Sequence, residues 1–304
     1  MHIPVLKKEI IENLDPKSNE NFIDCTIGSA GHSLSLLEKN KPNGKVLGID
    51  LDIENIKKLK SDKLGKRLIL INDSYVNLKE IVERNKFGSV NGILFDLGMS
   101  SFHLEQSGKG FSFLRDEELD MRYDKENQKG TSSSQAKAKS KIQTAGDIIN
   151  QYSEKDLERI LREYGEERFA KKIAKEIVKQ REIKPIKTTF ELNQVIKKAI
   201  PFRFQKSRIN PSTKTFQAIR IAVNKELDNL KKVLPQAIEI LEKNGRLAII
   251  SFHSLEDRIV KNFFKDLSNK NLFNVSKKPI TASLEEIKNN PRSRSAKLRI
   301  AIKI

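Results

Sequence analysis

Three aspartates, Asp50, Asp73 and Asp96, recur 23 residues apart, each at or just past the end of a short apolar run. Ahead of them, Phe22–Thr26 carries Asp24 and leads into a small-residue turn, Ile27-Gly28-Ser29-Ala30-Gly31-His32, and Asp50 follows Gly28 by 22 residues. Small residues let a backbone pass close to a ligand. The start of a following helix offers free N–H groups, and an acid after the next strand can accept from both hydroxyls of a ribose. These are the parts of a nucleotide-type cofactor site. Their spacing serves NAD as well as S-adenosylmethionine, and an ordinary tight strand-to-helix turn would use the same residues. Taken singly, each acid could instead cap a helix, Asp73 above all.

To act together the acids need a scaffold that repeats at their own interval, and one strand plus one helix plus two loops does so. Strands are expected at Phe22–Thr26, Val46–Asp50, Arg67–Ile71 and Val90–Asp96. Helical runs such as Ile53–Leu59 and Leu78–Val82 lie between them, and Val5, Leu6, Ile10, Ile11 and Leu14 form a first amphipathic helix. The acids then share the carboxyl edge of a parallel sheet, where open α/β sheets bind their ligands.

Beyond Asp96 the pattern changes. Residues 97–122 hold Gly98, Ser100, Ser101, Gly108 and Gly110 in a stretch too irregular for a regular element, as functional loops are. Lys125–Lys141 carries five lysines, one acid and almost nothing to bury, a composition that predicts disorder without a partner. From Ala145 to Ile200 three apolar stripes follow one another with no strand between: Leu157, Ile160, Leu161 and Tyr164; Phe169, Ile173 and Ile177; Leu192, Val195, Ile196 and Ala199. Helix resumes at Thr215, and Pro235 should kink or divide it. After Asn244-Gly245, Arg246–Ser251 reads as a strand, Leu255–Leu267 as a helix, and Lys297–Ile304 alternates strictly as a half-buried, antiparallel strand. The expected fold class is thus α/β: a Rossmann-like sheet from residues 1–105 and 211–304, interrupted by a mainly helical insertion at 106–210.

Lys and Arg number 58 against 40 Asp and Glu, giving a formal charge of +18 and a pI near 9.7. A surplus of that size suits a polyanionic partner, since each neutralised phosphate releases counterions; a merely basic, soluble surface is the alternative. The single cysteine, Cys25, excludes an intrachain disulfide or a cysteine metal cluster and reads as a small core residue. The N-terminus breaks into charges too early for a signal peptide, and no apolar run reaches the length of a membrane span. A cytoplasmic protein with no membrane association is expected.

The strings His2-Ile3-Pro4-Val5-Leu6, Asp24-Cys25-Thr26-Ile27-Gly28-Ser29-Ala30-Gly31-His32, Gly92-Ile93-Leu94-Phe95-Asp96-Leu97-Gly98-Met99-Ser100-Ser101 and Gly110-Phe111-Ser112-Phe113 carry a family resemblance. So do Leu119-Asp120-Met121-Arg122, Tyr164-Gly165-Glu166-Glu167, Thr215-Phe216-Gln217-Ala218-Ile219-Arg220-Ile221, Ser251-Phe252-His253-Ser254-Leu255-Glu256-Asp257-Arg258 and Asn290-Pro291-Arg292-Ser293-Arg294-Ser295-Ala296. In this order, across the whole chain, the sequence resembles the ribosomal RNA small subunit methyltransferase H family.

The resemblance implies a class I methyltransferase sheet with an inserted helical subdomain that recognises substrate. It implies transfer of a methyl group from S-adenosylmethionine to the N4 amine of a cytosine in the decoding region of 16S ribosomal RNA, within the small ribosomal subunit and without a metal. Cofactor contacts then fall on Ala30, Gly31, His32, Asp50, Tyr75, Asp96 and His103. Two positions depart from the family pattern, Ala30 where a glycine is usual and His103 where a glutamine is; Tyr75 in place of a phenylalanine keeps an aromatic face for adenine. Histidine cannot reproduce the donor and acceptor pair of an amide. Asp96, Ser100 and Ser101 follow the fourth strand, where related amino methyltransferases keep a short polar motif for the amine, and they are the catalytic candidates. Asp96 could equally serve the cofactor alone.

The remaining strings have two readings each. Asp120 and Arg122 either clamp the RNA backbone or pair with each other to fix their loop. His253 either contacts substrate or caps the Leu255 helix. Arg292, Arg294, Lys297 and Arg299 form a dense basic run suited to phosphate contact, and Tyr164–Glu167 is structural. Besides the methyltransferase, two function classes share these features: a nicotinamide-dependent oxidoreductase, which leaves the charge unexplained, and a catalytically silent RNA-binding or ribosome-assembly protein.

Overall fold

The computed structural model describes residues 3–61, 65–99, 107–123, 143–205 and 210–304. Ser100, Ser101, His103 and the lysine-rich 125–141 segment fall outside them. By its internal contacts the chain forms two units, Met1–Ser100 with Leu227–Ile304, and Ser101–Glu226.

The first unit is a seven-stranded sheet. Its early elements follow the expected alternation: α1 (Lys7–Leu14), β1 (Phe22–Asp24), α2 (Gly31–Lys39), β2 (Val46–Asp50), α3 (Ile53–Ser61), β3 (Leu68–Asn72), α4 (Leu78–Arg84) and β4 (Val90–Asp96). β1 pairs in parallel with both β2 and β4, and β2 with β3. Chain order therefore reverses between β1 and β4, which opens a crevice at their carboxyl ends.

Alternate residues of each strand enter opposite cores. Ile23, Leu47, Ile49, Ile93, Phe95, Leu247 and Ile249 pack on one face with Leu78 and Ile81 of α4. Phe22, Val46, Leu94, Ala248 and Ile250 pack on the other with Ile10, Leu14, Leu36 and Ile56. Burial on both sides is why these strands read as continuous apolar runs. Cys25 is a buried core thiol, as expected, and burial pushes its pKa well up.

The second unit contains α5 (Ala145–Gln151), α6 (Glu154–Gly165), α7 (Ala170–Ile183), α8 (Thr189–Ala199), the single turn α9 (Phe202–Gln205) and α10 (Thr213–Asn224). Capping boxes start two of these helices: Thr144 with Asp147, and Thr188 with Glu191. The helix α10, expected with the sheet, lies in this unit instead. Its neighbour is α6, and Gly165 allows the approach: a Cβ there would stand 2.7 Å from the Lys214 carbonyl oxygen. The loop 107–123 is tied to the start of α8, where Thr189 Oγ1 accepts from the Glu117 amide at 3.1 Å.

The chain returns to the sheet through α11 (Glu226–Ile240), β5 (Leu241–Ser251), α12 (Ser254–Asn269), β6 (Phe273–Val275), α13 (Leu284–Asn289) and β7 (Lys297–Lys303). Pro235 does not divide α11. Burial of Leu230, Val233, Leu234 and Ala237 around it outweighs the lost backbone bond, worth roughly 3 kcal/mol. Strand β5 starts earlier than Arg246, with an irregularity opposite Val90–Gly92.

β7 runs antiparallel to β5 and β6, as its alternation suggested, but it is not half-buried. Leu298 and Ile300 enter one core, Ala301 the other, and Arg299 beside it is also buried. Among the described residues no helix is long and apolar enough to cross a membrane.

Candidate active site

The residues that follow β1 to β4 meet at the reversal of the sheet. The turn after β1 is built on unusual backbone: Gly28 lies at φ 50° and Ala30 at φ 63°. Glycine tolerates that region freely, whereas the methyl of Ala30 is strained there and is wholly buried. At Gly31 the constraint is space, because a Cβ would stand 2.3 Å from Cγ of Pro4. The start of α2 is thus pressed against the segment ahead of α1.

Asp50 closes β2 and reaches back to this turn. Its Oδ2 accepts from the Gly28 amide at 3.0 Å and from Asn55 Nδ2 at 3.0 Å, and its Oδ1 accepts from the Asp52 amide at 2.8 Å. Burial raises its pKa, and these donors partly offset the effect. A carboxylate offers about four acceptor positions, so three are in use and roughly one remains for an incoming hydroxyl.

Asp73 does not cap a helix, since Ser74 and Asn77 hold the cap positions that follow it. Its Oδ1 accepts from the Ser74 amide and from Asn77, and its Oδ2 from Arg84 at 2.7 Å. Tyr75 follows in a short 3₁₀ turn and stands edge-on to Phe95, with ring centroids 5.8 Å apart.

Across the reversal, Asp96 Oδ2 lies 3.6 Å from His32 Nε2. His32 is 6% exposed, and among the described residues neither of its ring nitrogens has a hydrogen-bond partner. Buried polar atoms of this kind call for a ligand or a water. Sequence reasoning missed two residues that complete the cluster. Asp24 is fully buried, accepts from Ser33 Oγ at 2.7 Å and from the Thr26 amide at 3.2 Å, and has its pKa raised by burial, with the His32 charge opposing. Thr26 Oγ1 accepts from the Asp96 amide at 2.7 Å and so locks the ends of β1 and β4 together. An acid closing an apolar strand was the signal for Asp24; nothing in the sequence marked Thr26.

Arg122 and Asp120, in the helical unit, pair with each other through Nε–Oδ1 at 2.6 Å and Nη2–Oδ2 at 3.0 Å. His253 caps α12, its Nδ1 accepting from the Glu256 amide at 3.4 Å, with Nε2 3.0 Å from Glu256 Oε1. Arg292 and Arg294 sit on the 3₁₀ turn Pro291–Ser295, Arg294 exposed and Arg292 partly so. Arg299 and Lys297, expected to face phosphate, both turn to Asp257, at 2.7 and 3.2 Å.

The sequence profile of the MraW methylase family matches residues 1–304. The chain belongs to the MraW methylase family. Among relatives of this MraW-type chain is the ribosomal RNA small subunit methyltransferase H of Thermosipho melanesiensis, 49% identical, covering 100% of this chain and 98% of that protein. Its counterpart from Caldicellulosiruptor saccharolyticus is 47% identical over 100% and 99%. A looser likeness links this MraW methylase to the structure of an rRNA methylase from Streptococcus thermophilus, 10% identical over 100% of this chain and 99% of that one, TM-score 0.44.

Proposed function

We propose that this protein methylates small-subunit ribosomal RNA with S-adenosylmethionine as donor, at the N4 amine of a cytosine in the decoding region. The observation that carries the reading is the edge cluster of buried His32 with half-buried Asp96 and Asp50 around a left-handed turn, in a chain whose relatives bear the name of a small-subunit rRNA methyltransferase.

The ring nitrogens of His32, which have no hydrogen-bond partner among the described residues, and the remaining acceptor position on Asp50 fit a polar, ribose-bearing molecule. Ala30, Gly31, His32, Asp50, Tyr75 and Asp96 would hold it, with His103 as a further contact. The donor supplies a methyl group already activated on sulfur, so the protein's task is alignment. Asp50 serves the ribose, and Tyr75 presents an aromatic face for the adenine. A cytosine amine is a weak nucleophile, its lone pair being delocalised into the ring. An acceptor on the amine protons strengthens it and takes a proton after transfer. Asp96, the last residue of β4, would take that role, with Ser100 and Ser101 as the further candidates. The inserted helical unit would recognise the RNA, together with Arg292 and Arg294 on the sheet unit, while Asp120 and Arg122 keep their loop in shape.

Small subunits lacking the modification, incubated with the protein and isotopically labelled donor, test the reading. Mass spectrometry of the digested 16S RNA should show label on one cytosine N4. Label on a different base, or none, would overturn it. Calorimetry with S-adenosylmethionine against NAD tests the donor separately.

A further inference from the structure

An arginine–phenylalanine cluster lies on the helical unit, outside every residue assigned above. Arg168 and Phe169 come from the junction of α6 and α7; Phe202, Arg203 and Phe204 come from α9. The rings of Phe169 and Phe204 stand 5.1 Å apart. Two guanidinium groups converge on the Phe204 ring, Arg168 at 5.2 Å and Arg203 at 4.9 Å from its centroid, and Arg168 also lies 5.7 Å from that of Phe169.

Two features separate this cluster from ordinary packing. Phe202 is 71% exposed, whereas a ring present only to fill a core would be turned inward. Among the described residues neither Arg168 nor Arg203 is paired with a carboxylate, although like charges held on one ring repel each other. An anion bound there would relieve that repulsion. The platform itself is held in place: Gln205 Nε2 donates to the carbonyls of Lys197 and Ile200, both at 2.7 Å.

We propose that Arg168, Phe202, Arg203 and Phe204 form a stacking platform for an unpaired segment of the RNA substrate. This rests on the rRNA reading and specifies a surface for it. The exposed ring of Phe202 takes a base of any identity by stacking, and the two guanidinium groups held on the half-buried Phe204 ring stack on a neighbouring base or take the phosphates. Paired RNA offers phosphates but hides its base faces, so the platform selects single strands. The excess of positive charge on the chain, +18, suits the same partner.

The test compares binding of a short single-stranded oligoribonucleotide with that of the same sequence as a duplex, for wild type, Phe202→Ala, Arg203→Ala and Arg203→Lys. Phe202→Ala and Arg203→Ala should each weaken single-strand binding about tenfold. Duplex binding should change far less, with donor affinity and melting temperature unaltered. Arg203→Lys should restore only part of the loss, since an ammonium keeps the charge but not the plane. Single-strand binding equal to wild type in the alanine variants would overturn the proposal, as would full rescue by lysine. Loss of binding to intact small subunits with naked RNA binding unchanged would assign the surface to a ribosomal protein, and also overturns it. Methylation by the wild-type protein is measured in parallel: labelled RNA with unaffected variants rejects the platform alone, and no labelled RNA rejects the rRNA reading itself.

Discussion

The carboxylate of Asp50 accepts a hydrogen bond from the backbone amide of Gly28 at 3.0 Å, so the acid that ends β2 fastens the turn that follows β1. One side chain both shapes the crevice and offers it an acceptor. Asp50→Ala should therefore weaken S-adenosylmethionine binding by about one to two decades, the worth of a charge-assisted contact of roughly 1.5–3 kcal/mol. It should also lower the melting temperature, because Gly28, Asp52 and Asn55 lose their acceptor. Asp50→Asn should recover part of the stability and little of the affinity. Calorimetry and thermal melts read both effects, and unchanged donor affinity would place the donor away from this edge.

Asp96 separates binding from chemistry. If it accepts from the amine, Asp96→Asn lowers the single-turnover methylation rate at saturating donor far more than it weakens donor binding. Recovery of near wild-type turnover at saturation would restrict Asp96 to the cofactor and leave Ser100 or Ser101 as the acceptor.

Gly31 and Pro4 form a testable steric pair. Gly31→Ala places a methyl 2.3 Å from Pro4 Cγ and should cost about 1–3 kcal/mol of stability as α2 is pushed off its seat. Pro4→Ala removes the clashing ring atoms and leaves a Cβ at an ordinary 3.4 Å. The double variant should then melt well above Gly31→Ala alone. Additive losses in chemical denaturation would refute the contact.

The buried pair of Arg299 and Asp257 sets an acid dependence. Burial by itself would raise the Asp257 pKa, but hydrogen bonds and charge from Arg299 and Lys297 outweigh it and hold the carboxyl below its ordinary 3.8. A pKa lowered in the folded state contributes stability that is present above the unfolded value and lost as pH falls through the folded one. Arg299→Ala leaves the carboxylate of Asp257 with Lys297 as its remaining charged partner and should cost roughly 1.5–3 kcal/mol at neutral pH, the worth of a hydrogen bond between charged groups. The gap to wild type should narrow as the pH falls below about 4. A gap independent of pH would mean that only packing was lost.

Much of the sheet unit was legible in the chain because its signals are local. Strands buried on both faces must be apolar throughout, so Val46–Asp50 and Val90–Asp96 stood out with the bounds they have in the fold. The constant length of a strand–helix unit set the interval of Asp50, Asp73 and Asp96, and the small residues after β1 marked the turn.

What the sequence could not decide is which polar group finds which partner, since that depends on contacts between distant segments. Asp73 and Asp96 hold equivalent positions in the repeat, yet one is held by Arg84 and the other faces His32. Arg299 stands in a basic run like Arg294, yet the pleat of β7 turns it inward to Asp257, 42 residues earlier, and leaves Arg294 exposed. A helix from Thr215 was legible, but its place beside α6 rests on the notch at Gly165, across the fold from Lys214. A side chain's period along the chain says which face it takes. What lies across that face, and so whether a charge is paired, orphaned or free for a ligand, is set only when the elements pack.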